Sequence, residues 1–385
     1  MRNKIYFNSA IVISALGTFG LGLPLFRYLS YNPVFDMFGH ALFVVKSVTN
    51  NTFPFPFIYP FTIYLFAGFS INVKLLLESS AIVLSLALTA KYLLTVRLFL
   101  NLSQNNLYSY GIIIICIGLL LCSPISWSVN QMYLGKTTPN VWHNPTTIMA
   151  MPFVILLFRS IVKFLQEDEI EKFSVVNIIV FSVLNIATKP SFVFVVIPAL
   201  PLGVVLYQKK WSANKIVAGV LISFFLLLLI FLAYYMIYEL EKNPQEGKSG
   251  VAIELFRIWF LYGYYYYPLH IISGLIFPIA YCTLFFSSVK EDKLLQFTLL
   301  LYLIALLISA VFVETGPRAS HGNLTWQVPM TGYLLFTVVS IRMVENMRKT
   351  GWVDKKNKIT FATFVLHCVY GVLYIIKIVL MKNYY

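Results

Sequence analysis

Apolar runs of about the length needed to cross a bilayer, separated by short polar stretches, set the pattern of this chain. They fall at about Phe7–Phe26, Lys74–Leu98, Tyr110–Val129, Pro145–Phe164, Phe173–Ala187 and Phe192–Tyr207. Further runs follow at about Ile216–Tyr238, Ile271–Ser287, Leu294–Val313, Trp326–Arg342 and Ile359–Leu380. The pattern predicts an all-α, polytopic membrane helix bundle of about eleven transmembrane helices, forming one integral membrane domain over residues 1–385. One apolar stretch breaks the pattern. Thr52–Gly68 reads TFPFPFIYPFTIYLFAG, and Pro54, Pro56 and Pro60 are too closely spaced for a regular spanning helix. It is expected to lie as an interfacial helix on the outer surface.

Charge orients the bundle. Arg2 and Lys4 precede the first helix and hold the N-terminus in the cytoplasm. No small-x-small cleavage site follows, so this helix reads as an uncleaved first span. With Thr52–Gly68 kept at the surface, most of the 29 basic residues fall on the cytoplasmic side. These include Lys91 and Arg97 near the end of the second span, and the clusters at 209–215 and 342–358. Counting Thr52–Gly68 as a span would turn both clusters outward. Lys74 and Glu78, four residues apart, are expected to pair.

Composition agrees with this reading. Only 11% of residues are charged and 59% are hydrophobic, against roughly 25% charged in soluble domains. The net charge of +14 therefore reads as topology signal and contact with anionic membrane lipids, not as nucleic-acid binding. Aromatic residues near segment ends suit interface belts, and Trp142 is expected as one such anchor. Cys116, Cys122, Cys282 and Cys368 lie in apolar segments without ligand spacing, which predicts buried inert thiols. There is no sustained heptad, nucleotide loop or clear internal repeat. Abundant Lys, Asn, Ile, Tyr and Phe point to an AT-rich bacterial genome, and so to a bacterial plasma membrane.

Candidate chemistry collects in the predicted outer loops. In Val34–His40, Asp36 and His40 are four apart and share one helix face, the arrangement of a proton-transfer or cation site. The loop GKTTPNVWHNPT (135–146) carries Lys136 and His143, and Asn144 before Pro145 reads as an N-cap. Lys189 stands in NIATKPSFVFVV (185–196) at a helix break made by Pro190, with Ser191 as the expected cap of the next helix. A lysine near the bilayer centre costs roughly 2.5–3.5 kcal/mol, and one beside a helix N-terminus makes an anion site. Glu314, Arg318, His321 and Asn323 crowd the stretch 314–326, where Glu314 and Arg318 either pair or serve a site. Glu254, Arg257 and YGYYYYP (262–268) lead to His270, either as an interface belt or as the lining of a lipid or sugar groove. Four of the five histidines fall on this side; His367 and Arg159 stand alone near the cytoplasmic end and receive no role.

This layout resembles the polytopic GT-C glycosyltransferases that use polyprenyl-phosphate-linked sugars. The likeness rests on Asp36 in a long first outer loop, the Pro-aromatic segment PFPFIYP (54–60), and basic residues at the bundle mouths. It covers the first two-thirds of the chain. It implies Asp36 as the base that takes the acceptor proton, with His40 beside it. Lys189, His143, Arg318, His321, Glu314, Arg257 and His270 would serve substrate and phosphate. The implied partners are a lipid-linked sugar donor, membrane lipids and a saccharide, lipid or protein acceptor. Many members carry a second acid in the first or second outer loop, often bound to a metal. Here neither loop has one, which leaves Glu314 to take that place if a divalent metal is used. Two alternatives stay open: a flippase or transporter of a lipid-linked saccharide, and a surface-polysaccharide polymerase or ligase.

Overall fold

A computed structural model describes residues 2–52, 55–103, 110–125, 137–208, 212–240, 249–263, 267–320 and 322–381. Lys136, Lys209, Lys210 and His321 lie outside the described residues, as does Pro54. In chain order the helices are α1 (Arg2–Ser30), α2 (Asp36–Thr49), α3 (Ile58–Phe66), α4 (Val73–Leu102) and α5 (Tyr110–Leu121). Then follow α6 (Pro145–Gln166), α7 (Lys172–Thr188), α8 (Ser191–Tyr207), α9 (Ala213–Tyr235) and α10 (Arg257–Gly263). The last five are α11 (Tyr267–Leu284), α12 (Phe286–Glu291), α13 (Lys293–Val311), α14 (Gln327–Thr350) and α15 (Lys355–Met381). Two short strands, β1 (Gly250–Ile253) and β2 (Phe312–Thr315), pair antiparallel with Val251 opposite Glu314.

The fold is an all-α helical bundle of an integral membrane protein. Seven of the described helices are long and apolar enough to cross a membrane, and four shorter apolar helices accompany them, at 110–121, 172–188, 191–207 and 269–284. α3 has nine residues, about 13 Å of helix, too short to span, as its prolines predict. Packing is organised around α4 and α14. α4 runs against α1 and α6 and carries α2 and α3, while α14 is enclosed by α4, α6, α8, α11, α13 and α15. The outer helices turn apolar side chains away from the protein, among them Leu16, Leu21, Leu221 and Phe224, as a lipid-facing surface requires.

Polar side chains set where helices begin and end. Asn72 caps α4 by accepting from the amides of Lys74 and Leu75, and Asp292 caps α13 in the same way. The Lys215 ammonium caps the other end of α6, donating to the carbonyls of Leu165 and Glu167.

Several expectations change. Lys91 is no cytoplasmic topology charge, because α4 continues to Leu102 and keeps it inside. It is 5% exposed, donates to Asn140 Oδ1 at 2.6 Å and lies 3.6 Å from the centre of the Tyr333 ring. Glu78 pairs with Arg27 (2.8 Å) and the Tyr31 hydroxyl (2.7 Å) rather than with Lys74. Trp142 is a buried residue packed near Phe26, not an interfacial anchor. His367 is no isolated helix residue: Nδ1 lies 2.6 Å from the Ser123 carbonyl, and Nε2 faces the Phe277 amide at 3.3 Å. The four cysteines are free, with Cys122 and Cys368 Sγ 3.8 Å apart.

Candidate functional site

A cavity of about 1090 Å³ opens where α2, the start of α6, the α7–α8 junction, α9 and the 314–326 stretch meet. Its lining includes Asp36, His40, His143, Lys189, Glu314 and Arg318. Six of the sequence-predicted residues are therefore neighbours of one space, although they come from four separate parts of the chain.

The first polar pole is built on helix ends. Asp36 opens α2, where a carboxylate suits the positive end of the helix. His40 follows one turn later on the same face, its ring edge-on to Tyr59 at 5.3 Å. Tyr59 is itself fixed by a 2.7 Å hydrogen bond with Ser80. Asn144 caps α6 as expected, through Oδ1 and the Thr147 amide (3.0 Å). Its amide nitrogen does something further: it donates to Asp36 Oδ2 at 3.0 Å. One side chain thus starts a helix and holds the carboxylate.

Lys189 completes this pole. α7 ends at Thr188 and α8 begins at Ser191, so the lysine side chain leaves from the break between them. Its ammonium is held by Thr146 Oγ1 at 3.1 Å and Asn144 Oδ1 at 3.3 Å, and lies 5.1 Å from the centre of the Trp326 ring. Ser191 is not the cap of α8; its hydroxyl approaches the Asn323 carbonyl at 3.5 Å. The His143 ring, 2% exposed, packs 5.6 Å from Trp326.

Burial decides the charge states. It lowers the Lys189 pKa to about 8, against the opposing pull of Asp36 and then Glu314, so the ammonium persists at neutral pH. Burial, and next the charge of Lys189, lower His143 to about 3 and His40 to about 4. His40 keeps part of its surface open to the cavity, but its ring lies deep within the protein. Both imidazoles are neutral at neutral pH, so they offer hydrogen bonds rather than positive charge.

The second pole faces the same cavity from β2 and the turn after it. Glu314, 2% exposed, accepts from Tyr238 Oη at 2.6 Å and Asn323 Nδ2 at 2.8 Å. The Arg318 guanidinium stacks 5.4 Å from the centre of the Tyr238 ring. Glycines with left-handed backbone, Gly316 (φ +67°) and Gly322 (φ +60°), let the chain fold back here. Arg257 does not line the cavity. It braces the turn from behind, donating to the carbonyls of Glu314 (2.6 Å) and Ala319 (2.8 Å) while pairing with Glu254. His270 lies near the start of α11, buried and away from the lining.

Sequence reasoning gave Asn144 a capping role alone and singled out neither Tyr238 nor Trp326. Asn144 and Trp326 belong to polar stretches that stand out in the sequence, but the spacing before Pro145 accounts for Asn144 as a cap and signals no second partner. The remaining wall is apolar, from Phe194 and Ile197 of α8, Leu227, Ile230 and Phe231 of α9, and Ile308 of α13.

A divalent metal does not suit this donor set. Asn144 Oδ1 already accepts from the Thr147 amide, the Thr146 and Thr147 hydroxyls and Lys189. Both Glu314 oxygens are engaged, and the Lys189 charge acts on both acids. Comparison with known protein families, curated proteins and solved structures finds no match to this chain.

Proposed function

We propose that this protein is a membrane glycosyltransferase of the GT-C type, moving a sugar from a polyprenyl-phosphate donor to an acceptor on the outer face of a bacterial plasma membrane. In this reading about eleven helices span the bilayer and the N-terminus is cytoplasmic. One observation carries the proposal: a carboxylate and an ammonium joined through a single amide, Asp36–Asn144–Lys189, in a cavity whose far wall is apolar. That combination suits a substrate with a reacting hydroxyl, a phosphate and a lipid tail.

The chemistry follows from the two charges. Asp36 accepts the proton of the acceptor hydroxyl. The oxygen attacks the anomeric carbon from the face opposite the phosphate, the bond to the phosphate oxygen breaks, and the configuration inverts. Negative charge grows on the departing polyprenyl phosphate, where Lys189 and Arg318 stabilise it. His40 and His143, both neutral, orient rather than neutralise. The tail lies against α8 and α9.

Asp36→Asn, assayed in membranes with a lipid-linked sugar, is expected to lose transfer while still folding. Undiminished transfer by folded variant protein removes Asp36 as the base. Release of free polyprenyl phosphate by the purified protein separates group transfer from translocation of an intact lipid-linked saccharide.

A further inference from the structure

We propose that Lys189 is the resident cation of this site, filling with an ammonium the place that a divalent metal would otherwise take against the leaving phosphate. The inference rests on the donor reading above for the identity of the anion, but its geometric basis is independent of it. Two acids, Asp36 and Glu314, line one cavity, and Lys189 is the cation whose charged form both of them favour. A metal drawn to Asp36 would meet an ammonium held on the same amide that holds the carboxylate.

The way the lysine is held supports this. An ammonium has three N–H donors. Two go to Asn144 Oδ1 and Thr146 Oγ1, which are neutral oxygens, so the positive charge is fixed in position without being cancelled by a direct ion pair. The third is left for a ligand oxygen. Asn144 and Thr146 both belong to the first turn of α6 or its cap, so the mount is rigid. The same amide holds Asp36, which sets base and cation in one frame. Trp326 closes the other side with the face of its ring, a surface that tolerates a cation. A lysine also suits an anion that must depart, because it acts as a point charge without the fixed fork of an arginine.

The test uses the full-length protein purified in detergent. Mn²⁺ is titrated to millimolar concentration and followed by electron paramagnetic resonance. The expected result is no protein-bound Mn²⁺ at this site. One equivalent of bound Mn²⁺ that disappears in Asp36→Asn overturns the inference. A second measurement takes undecaprenyl phosphate as the probe and reads tryptophan fluorescence. Its affinity is expected to be the same in EDTA and in Mg²⁺, at least tenfold weaker in Lys189→Met, and largely kept in Lys189→Arg. A tenfold or greater gain on adding Mg²⁺ overturns the inference. If Lys189→Met does not fold, the wild-type measurements decide alone. Absence of binding in both buffers removes the polyprenyl-phosphate reading instead, while the Mn²⁺ titration still judges the cation.

Discussion

Asn144→Asp separates the two duties of one side chain. Asp is as good an N-cap as Asn, so α6 should start as before and the acceptors for Thr147 and Lys189 are kept. The donor to Asp36 is lost, and a second carboxylate oxygen takes its place 3.0 Å from Asp36 Oδ2. Two unit charges at that distance repel by about 5 kcal/mol at an effective dielectric of ~20. Lys189 offsets part of this, and uptake of one proton by the carboxyl pair relieves the rest. Even a remainder of about 1.4 kcal/mol is a tenfold effect. The expected outcome is a melting temperature within a few degrees of wild type and at least a tenfold slower transfer at neutral pH. The ratio of variant to wild-type rate should then rise with pH, since the extra proton leaves. Asn144→Ala is the contrast: it removes the cap as well, at a cost of about 1–2 kcal/mol in stability. A wild-type rate for Asn144→Asp, or a rate ratio flat with pH, would refute the coupling of Asn144 to Asp36.

The lysine gives a pH limb with a defined sign. Lys189 is charged below its pKa of about 8 and neutral above it, so kcat/KM for a phosphate-bearing donor should fall as pH rises through 8. Lys189→Arg should move that fall out of the measurable range, and a limb unchanged in this variant assigns it elsewhere. At the α5–α15 contact, a Cβ at Gly371 would land on the Leu121 carbonyl, so Gly371→Ala must force the two helices apart. Overpacking of this kind costs about 1–3 kcal/mol or more, which predicts a melt several degrees lower in detergent; an unchanged melt would show that the helices are not in contact there.

Much of the bundle is legible in the sequence because a membrane leaves few choices. Apolar runs such as Ile216–Tyr238 have no use except burial in lipid or protein, and α9 follows that run closely. The prolines of Thr52–Gly68 told correctly that the segment is too broken to span. What the pattern could not tell is which neighbour a polar residue finds. Glu78 is four residues from Lys74, yet α1 packs along α4 and delivers Arg27 and Tyr31 to it. Lys91 looked terminal because hydropathy dips there, but Asn140 and Tyr333 make an interior lysine tolerable. The candidate site shows the same division. Asp36, Lys189 and Glu314 were conspicuous as charges in an apolar chain. Tyr238 lies in the turn just after the long apolar α9, and nothing in its local sequence announces the hydrogen bond to Glu314.

The two helices that meet at Lys189 also bear on how deep the site would lie in the proposed topology. α7 and α8 have 17 residues each, about 25 Å of helix, whereas α4 has 30 residues, about 45 Å. A hydrocarbon core is about 30 Å thick, so in the proposed topology, where both helices span, their junction would stop near its edge instead of rising into the water above it. In that topology the ammonium is recessed to the level of the lipid ester groups. A phosphate carried on a long isoprenoid meets it without lifting its chain out of the bilayer. Soluble phosphates, which have no such anchor, must descend from the open mouth. Depth alone favours the membrane-borne anion, before any contact with the headgroup is counted.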